Sequence, residues 1–275
     1  EVIGLRSIGI IGGTGVENAA AFGKLDTMTV ETPFGTVVCL KGGINGNAVY
    51  FLARHGANHS VPPHKINYRA NIFALKQVGV TEILSFTAVG SLNPGLPPGT
   101  FVVPNQLLDF TKNRIATFFD GQNGKVVHVP FAEPYCPALR KKLIQVLLNL
   151  RLRHSKQGTY VALEGPRYET AAEVKVYAFL GGDVVGMTNM PEAVLAREAE
   201  ICYVNCSVVT NMGSGLSIRE LSHEEVTEAM QKRSGQITAI MQAFIDDNTP
   251  PECQCHCQEA LKEYGGFHLN DFADV

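Results

Sequence analysis

Short apolar runs alternate with longer stretches of helical periodicity along most of the chain, and this alternation is typical of an α/β protein. Runs rich in β-branched residues predict strands at 7–11, 48–54, 82–86, 99–104, 158–163 and 201–210. Helical spacing predicts helices over 67–80, 136–152, 170–182 and 190–200. Ser222, followed three residues later by Glu225, predicts a capping box at the start of a long final helix.

No linker, internal repeat or change of composition divides the 275 residues. We therefore predict a single domain over residues 1–275, with a peripheral tail after about residue 248.

Composition narrows the possible functions. Apolar residues make up 45% of the chain and charged residues 18%, as in an ordinary soluble protein. The net charge of −3 argues against a nucleic-acid partner, which usually requires a basic surplus. No apolar run has transmembrane length, and no basic segment precedes a long apolar one at the start. We therefore expect no membrane association and a cytoplasmic location.

The seven cysteines fall into two groups. Four lie in apolar surroundings and are predicted to be small core residues: Cys39, Cys136, Cys202 and Cys206. Three lie near the tail in "CQCHC": Cys253, Cys255 and Cys257. A metal site usually needs a second, separated pair of ligands, so we predict no metal. The tail cysteines either form disulfides, as in intracellular proteins of hyperthermophiles, or are inert.

Hydroxyl and basic side chains follow three predicted strands. "GIIGGTG" places Thr14 in a glycine-rich turn, and a second strand ends at Arg54 and His55. A third strand is followed by Thr87 and Ala88. The first turn lacks both the third glycine of a dinucleotide fingerprint and a P-loop lysine, so free phosphate suits it better than a nucleotide diphosphate; a plain turn fits equally well. Arg54 is a candidate for two-pronged phosphate binding.

Further candidates have both structural and functional interpretations. Tyr168 and Glu169 precede a predicted helix, where an acidic residue also favours the helix start. Met187 and Thr188 end another strand, and Met187 suits either the core or packing beneath a sugar. Asn211 ends the run "VVTN" and either forms a turn or reads a heterocycle edge with its donor and acceptor.

Six segments occur in order over residues 7–246: "IIGGTG", "ARHG", "FTAVGSLNPGLPPGT", "EGPRYET", "GMTNMPEAVLARE" and "VVTN". Together they resemble the trimeric purine nucleoside phosphorylase and methylthioadenosine phosphorylase family. The resemblance implies one α/β domain around a mixed, partly closed β-sheet surrounded by helices. It also implies a homotrimer, or a dimer of trimers, with active sites near the subunit interfaces. The implied reaction converts a purine nucleoside and inorganic phosphate into free purine and ribose 1-phosphate, without a metal or organic cofactor.

The resemblance also assigns roles to individual residues. The implied phosphate ligands are Thr14, Arg54, His55, Thr87, Ala88 and Thr188. Met187 is implied to lie under the ribose, Tyr168 to stack near the base, and His128 to reach a neighbouring subunit's sugar site. Asn211, with Glu169 and His55, is implied to serve catalysis, because a donor near purine N7 neutralises the leaving base.

Three positions separate the branches of this family. Asn211, Glu169 and His223 resemble the branch that cleaves inosine and guanosine. "ARHG" and "EGPRY" instead look like the methylthioadenosine branch. We therefore expect a 6-oxopurine nucleoside phosphorylase, with a methylthioadenosine or methylthioinosine phosphorylase as the alternative. A non-catalytic purine-binding protein on the same fold is a further hypothesis, but the complete phosphate-binding set argues against it.

Overall fold

The computed structural model describes residues 6–13, 24–56, 59–121, 124–216, 222–248 and 255–272. Within these ranges eleven strands form one mixed sheet, which confirms the predicted α/β class. The strands are β1 (Ser7–Gly12), β2 (Asp26–Thr32), β3 (Gly35–Ile44), β4 (Asn47–Ala53), β5 (Glu82–Ser91), β6 (Phe101–Val102), β7 (Gln106–Phe110), β8 (His154–Ser155), β9 (Thr159–Leu163), β10 (Val184–Gly186) and β11 (Cys202–Met212).

The sheet branches at β5. Its main path runs β2-β3-β4-β1-β5-β10-β9-β7, and β11 lies along the other edge of β5 and leads to β6 and β8. On the first edge, β1 pairs with residues 82–85 and β10 with residues 90–91. In the described part of the chain, residues 86–89 therefore have no strand neighbour on that edge. The backbone there is open to a ligand, because its hydrogen-bonding groups are not used by a strand.

Helices cover both faces of the sheet. They are α1 (Tyr68–Gln77), α2 (Pro137–Asn149), α3 (Ala171–Phe179), α4 (Asn189–Glu198) and α5 (His223–Asp246). One apolar core lies between the sheet and the pair α2 and α5, and a second lies under α1 and α4. None of the described helices is both long and apolar enough to span a membrane.

The predicted strands and helices are largely present, but a whole hairpin was missed. The strand β2 carries mostly exposed polar side chains, and in β3 the apolar run at 37–40 is short and alternates buried with exposed positions between glycines and polar residues, so neither was recognised as a strand. The predicted capping box is present only in part. The Ser222 side chain accepts a hydrogen bond from the Glu225 N–H, whereas the full reciprocal box forms at Thr170 and Glu173 instead.

The described part of the tail is not peripheral, contrary to the sequence prediction. The backbone N–H groups of Leu261 and Phe267 each donate to the Glu200 carboxylate at 3.0 Å. The Phe272 ring is fully buried and lies 5.7 Å from the Phe73 ring, centroid to centroid. Aromatic side chains spaced along a polar segment therefore hold the tail on the core, and their spacing has no helical or strand period that would predict this packing.

Candidate active site

A cavity of about 430 Å³ opens beside the unpaired stretch of β5, where several strands end. Most side chains selected from the sequence line it: Arg54, His55, Thr87, Ala88, Tyr168, Glu169, Met187, Thr188, Asn211 and His223. Of the remaining two, Thr14 lies outside the described residues, and His128 is exposed and does not line the cavity of its own chain. The carboxyl ends of neighbouring strands meet at one edge of a sheet, which is why segments distant in sequence converge here.

Arg54 is nearly completely buried and uses most of its donors internally. Its Nε donates to Glu192 Oε2 at 2.6 Å, and its Nη2 donates to Glu192 Oε1 at 2.8 Å and to Ser85 Oγ at 2.7 Å. Its Nη1 donates to the Phe86 carbonyl at 2.9 Å. A guanidinium has five N–H groups, so one remains on Nη1. The expectation of two-pronged phosphate binding is therefore corrected: the fork faces Glu192, and a single N–H is left for an anion.

Glu192 was missed by sequence analysis, although it organises this end of the cavity. It lies on α4 and also accepts hydrogen bonds from the Ser85 hydroxyl at 2.7 Å and the Tyr203 hydroxyl at 2.8 Å. Burial alone would lower the pKa of Arg54, but the adjacent Glu192 carboxylate raises it above its ordinary value. Arg54 thus carries a permanent positive charge at the cavity wall, held in one orientation.

Gly13 allows Arg54 to reach the cavity. A Cβ atom at this position would lie 3.0 Å from Arg54 Nη1 and 3.7 Å from His55 Nε2. A side chain here would crowd both groups, because a contact of 3.0 Å is shorter than ordinary van der Waals packing. The glycine therefore leaves room for an anion next to these two side chains.

His55 is neutral in the folded protein. Burial, followed by the charge of Arg54, lowers the pKa of His55 to about 3. Its Nδ1 lies 2.9 Å from the Val61 carbonyl oxygen, which can only accept. Nδ1 therefore carries the proton, and Nε2 on the Gly13 side is an acceptor. An acceptor here can take a hydrogen bond from the O–H of a monoprotonated anion.

A chain of buried hydroxyl and amide groups supports Thr87. The Thr87 hydroxyl lies 3.2 Å from Asn205 Oδ1 and 3.1 Å from Ser207 Oγ, and the Ser207 hydroxyl donates to the same Asn205 oxygen at 2.6 Å. Asn205 and Ser207 lie on β11 directly beside β5. Both were missed from the sequence, because they interrupt an apolar run without any turn or motif signal.

Asn211 and Glu169 lie at the opposite end of the cavity with defined orientations. Asn211 Oδ1 accepts from the Thr210 hydroxyl at 2.7 Å, and Nδ2 donates to the Met212 carbonyl at 2.9 Å. These partners distinguish the oxygen from the nitrogen and, within the described residues, leave one N–H for a ligand. Glu169 Oε1 accepts from the backbone N–H of Ser214 at 3.1 Å and from its hydroxyl at 3.3 Å.

Three imidazole rings form a row along the cavity. The centroids of His55 and His59 are 4.1 Å apart, and those of His59 and His223 are 5.6 Å apart. His223 is the first residue of α5, which begins after the capping residue Ser222. The cap therefore fixes where α5 begins and so where His223 lines the cavity. Val226, about one helical turn later, lines the same wall.

Arg114 fixes two backbone segments beside the cavity, and it too could not be identified from the sequence. Its Nη1 donates to the Met187 carbonyl and its Nη2 to the Leu163 and Glu164 carbonyls, at 2.6, 3.1 and 2.6 Å respectively. These carbonyls belong to the segments that follow β9 and β10, so one guanidinium joins two strand ends. The sequence around it, "TKNRIAT", has no periodicity or motif that could have indicated this role.

A family model described as the phosphorylase superfamily matches residues 7–246, which include every described residue of this cavity. The chain belongs to the phosphorylase superfamily. It is 51% identical to the 6-oxopurine nucleoside phosphorylase of Pyrococcus furiosus, over 93% of this chain and 97% of that protein. It is 44% identical to a probable S-methyl-5′-thioinosine phosphorylase of Methanocaldococcus jannaschii, over 93% and 98% respectively. Among solved structures, the methylthioadenosine phosphorylase of Schistosoma mansoni in complex with adenine matches with a TM-score of 0.84 and 34% identity, over 87% of this chain and 91% of that chain.

Membership of the phosphorylase superfamily confirms the resemblance inferred from the six sequence segments. The cavity has a cationic, hydroxyl-rich end near β1, β4 and β5, and an amide and carboxylate end near Asn211 and Glu169. Met187 and Tyr168 also line the cavity. A phosphorylase needs this division, because it must hold an inorganic anion and an organic base on opposite sides of a sugar.

Proposed function

We propose that this protein cleaves 6-oxopurine nucleosides, inosine and guanosine, with inorganic phosphate, releasing free purine and ribose 1-phosphate for purine salvage. The observation that carries the proposal is the fixed orientation of Asn211 in a cavity that is also lined by the buried Glu169. A 6-oxopurine has a donor at N1 and acceptors at O6 and N7. The Glu169 carboxylate accepts from N1–H, and the open N–H of Asn211 serves O6 or N7.

Phosphate binds at the other end of the cavity in this proposal. Arg54 donates one N–H, Thr87 and Thr188 contribute hydroxyls, and the open backbone near Ala88 donates further N–H groups. His55 Nε2 accepts a hydrogen bond from the O–H of the monoprotonated anion. Thr14, which follows Gly13 in the chain and lies outside the described residues, belongs to the proposed phosphate set because the family resemblance assigns it there.

The reaction follows from these two ends. A phosphate oxygen attacks the anomeric carbon while the bond to purine N9 breaks, and the bonding electron pair leaves with the base. The ribose acquires oxocarbenium character, which the phosphate charge below it stabilises. The hydrogen bond from Asn211 strengthens as negative charge grows on the imidazole ring of the purine. Met187 packs under the ribose, and Tyr168 lies near the base.

The alternative substrate is a methylthio-nucleoside, because relatives at 41–44% identity are named probable S-methyl-5′-thioinosine phosphorylases. Relatives named 6-oxopurine nucleoside phosphorylase match at 46–51% identity. The position of His223 at the cavity wall favours 6-oxopurine nucleosides over methylthio-nucleosides. Its imidazole hydrogen-bonds a 5′-hydroxyl, whereas a methylthio group has no comparable partner.

We further propose a homotrimer, or a dimer of trimers, in the cytoplasm. His128 is exposed and absent from its own cavity, which supports a role in the sugar site of a neighbouring subunit. The proposed reaction uses no metal or organic cofactor.

A substrate panel tests this function directly. Inosine, guanosine, adenosine, methylthioadenosine and methylthioinosine are each incubated with and without inorganic phosphate, and free base and ribose 1-phosphate are quantified. We expect phosphate-dependent cleavage of inosine and guanosine and very little of adenosine. Preference for adenosine or for a methylthio-nucleoside would contradict the substrate assignment. The absence of any phosphate-dependent cleavage would contradict phosphorolysis itself.

A further inference from the structure

Four cysteines from three separate segments meet at the end of the sheet away from the candidate active site. They are Cys136, Cys202, Cys255 and Cys257, and their sulfur atoms all lie within 4.8 Å of one another. Cys136 directly precedes α2, Cys202 is the first residue of β11, and the other two lie in the tail. From the sequence, Cys136 and Cys202 were expected to be small core residues, and no metal was expected because only one group of cysteines was visible along the chain.

The backbone brings the two core cysteines together. The Cys136 N–H donates to the Tyr203 carbonyl at 2.8 Å, which places the start of α2 against the start of β11. The tail then crosses this point, with Cys255 Sγ 3.5 Å from Cys202 Sγ. Cys136, Cys202 and Cys257 are buried, and Cys255 is partly buried. The chain thus supplies two independent ligand pairs in an enclosed position.

We propose that these four cysteines form a tetrathiolate site for Zn²⁺. Zinc takes thiolate ligands at about 2.3 Å in a tetrahedron, which puts the sulfur atoms about 3.8 Å apart. The cluster needs only small side-chain adjustments to reach this arrangement, since every sulfur pair is already within 4.8 Å. Thiolates select soft or borderline metals, and four of them without an open position are typical of a structural zinc site.

The surroundings of the cluster suit its charge. Four thiolates and one Zn²⁺ together carry two negative charges. The 13-residue helix α2 begins immediately after Cys136, so its positive N-terminal end faces the cluster. The guanidinium of Arg197 also acts electrostatically on Cys257. A site closed by four protein ligands cannot bind a substrate, so the role that follows is structural: the metal fastens the tail to the start of β11.

The test is the metal content of the intact protein, purified anaerobically under reducing conditions from zinc-supplemented medium. Inductively coupled plasma mass spectrometry should find one zinc ion per chain in the parent protein. Cys255→Ser combined with Cys257→Ser should remove stoichiometric zinc. Cys39→Ala is the matched control, because Cys39 is a buried cysteine on β3 outside the cluster, and this variant should retain zinc.

A second measurement needs no variant. Replacement of zinc by Co²⁺ in the parent protein should produce the intense visible bands and the thiolate charge-transfer absorption of a tetrahedral Co–S₄ centre. Alkylation of the unfolded protein followed by peptide mass spectrometry should show four free thiols in the cluster after the metal is removed. A chain that lacks zinc overturns the proposal, whether its four cysteines are then free, joined in disulfides or bound to iron.

Discussion

The two ends of β11 carry two different kinds of polar cluster. At the amino end, Cys202 contacts other thiols of the same chain. At the carboxyl end, Asn211 has one N–H group beyond those used by its described partners. Nine residue steps separate the two, or roughly 30 Å at about 3.3 Å per residue. One strand therefore connects a closed cluster, whose ligands come entirely from the chain, to a cavity in which Asn211 retains one N–H beyond its described partners.

Arg54 and His55, which also line this cavity, likewise have hydrogen-bonding positions that their internal partners do not use. In the described structure, Arg54 has a single uncommitted N–H, and His55 presents Nε2 after Nδ1 has bonded to Val61. Internal hydrogen bonds hold each side chain in one orientation, which reduces the entropy lost when a ligand binds. A binding site can therefore be recognised by side chains that are held in one orientation but still have an unused hydrogen-bonding position. A structural cluster can be recognised by side chains that bond only to one another.

The largest effect is expected from Asn211→Asp. An aspartate carboxylate would face the Met212 carbonyl, which now accepts from Asn211 Nδ2, so the carboxyl group should retain a proton. That single proton can serve Met212 or the purine, but not both. We therefore expect the parent to prefer inosine over adenosine by about 10⁴-fold in kcat/KM, and the variant to lose most of its inosine activity. Any gain with adenosine should be small, because Glu169 still opposes adenine N1.

The measurement is kcat/KM for inosine and adenosine in both proteins. Asn105→Asp is a matched control: its side-chain oxygen accepts from the Gly158 N–H, a carboxylate can do the same, and the residue lies outside the cavity. It should leave the ratio unchanged. A parent enzyme that prefers adenosine would refute the roles of Asn211 and Glu169 while leaving phosphorolysis intact.

The next effect concerns the phosphate end. Glu192→Gln replaces the carboxylate that binds Arg54 by an amide, so one of the two charged hydrogen bonds is lost and the guanidinium is no longer held in place. Misplacement by about 1 Å can reduce catalysis about 10²-fold, and we expect a loss of this order at subsaturating phosphate. The phosphate KM should rise more than the inosine KM, which distinguishes a positioning role from general destabilisation.

Glu198→Gln provides the control for this variant. Glu198 is an equally buried carboxylate on the same helix, but its described partners are Thr117 and Phe118, away from the cavity. Both variants should lower the melting temperature, because both disturb a buried carboxylate. Only Glu192→Gln should raise the phosphate KM selectively. An equal change in both KM values would show that Glu192 acts only on stability.

Glu192 and Glu198 also show which parts of the structure the sequence could predict and which it could not. The apolar runs predicted the central strands, because residues buried on both faces of a sheet leave a continuous signal. The ends of these strands predicted several residues that line the cavity, including Arg54, Thr87 and Asn211. Glu192 and Glu198 look alike within one amphipathic helix, and only the fold reveals that the first meets an arginine 138 residues away.

Arg114 and the cysteine cluster were missed for the same reason. Most hydrogen-bond partners of Arg114 are backbone carbonyls, which carry no residue-specific signal in a sequence. Cys136 and Cys202 look like ordinary small core residues until the tail is placed beside them. Sequence patterns therefore could not predict contacts between residues that are far apart in the chain and follow no local period.

A smaller effect is expected at the sugar. His223→Val removes the imidazole proposed to bond the 5′-hydroxyl, while the neighbouring Val226 already makes that wall partly apolar. Loss of one hydrogen bond in a largely enclosed position costs about 1–3 kcal/mol, so the preference for inosine over methylthioinosine should narrow about tenfold or reverse. Competition kinetics with both substrates measure this ratio. His268→Val, in the tail, should leave it unchanged; equal use of both substrates by the parent would exclude the role given to His223.

The smallest effect on activity is expected at the amino end of β11. Cys255→Ser with Cys257→Ser should weaken the attachment of the tail and lower the melting temperature by about 2–4 °C for each kcal/mol lost. Inosine kcat/KM, measured well below the transition, should stay close to that of the parent, because Cys255 and Cys257 lie outside the cavity and Asn211 is roughly 30 Å along β11 from Cys202. Two described links could carry an effect further. Tyr203 accepts from the Cys136 N–H and donates its hydroxyl to Glu192. At the tail, the His128 N–H donates to the Tyr264 hydroxyl at 3.2 Å, and His128 is proposed to serve a neighbouring subunit. Tyr264→Phe removes that link alone, so it should reproduce any modest rise in nucleoside KM seen in the cysteine variant. A large loss of kcat in the cysteine variant without a matching change in Tyr264→Phe would show that the two ends of the strand are coupled, and the contrast between them would fail.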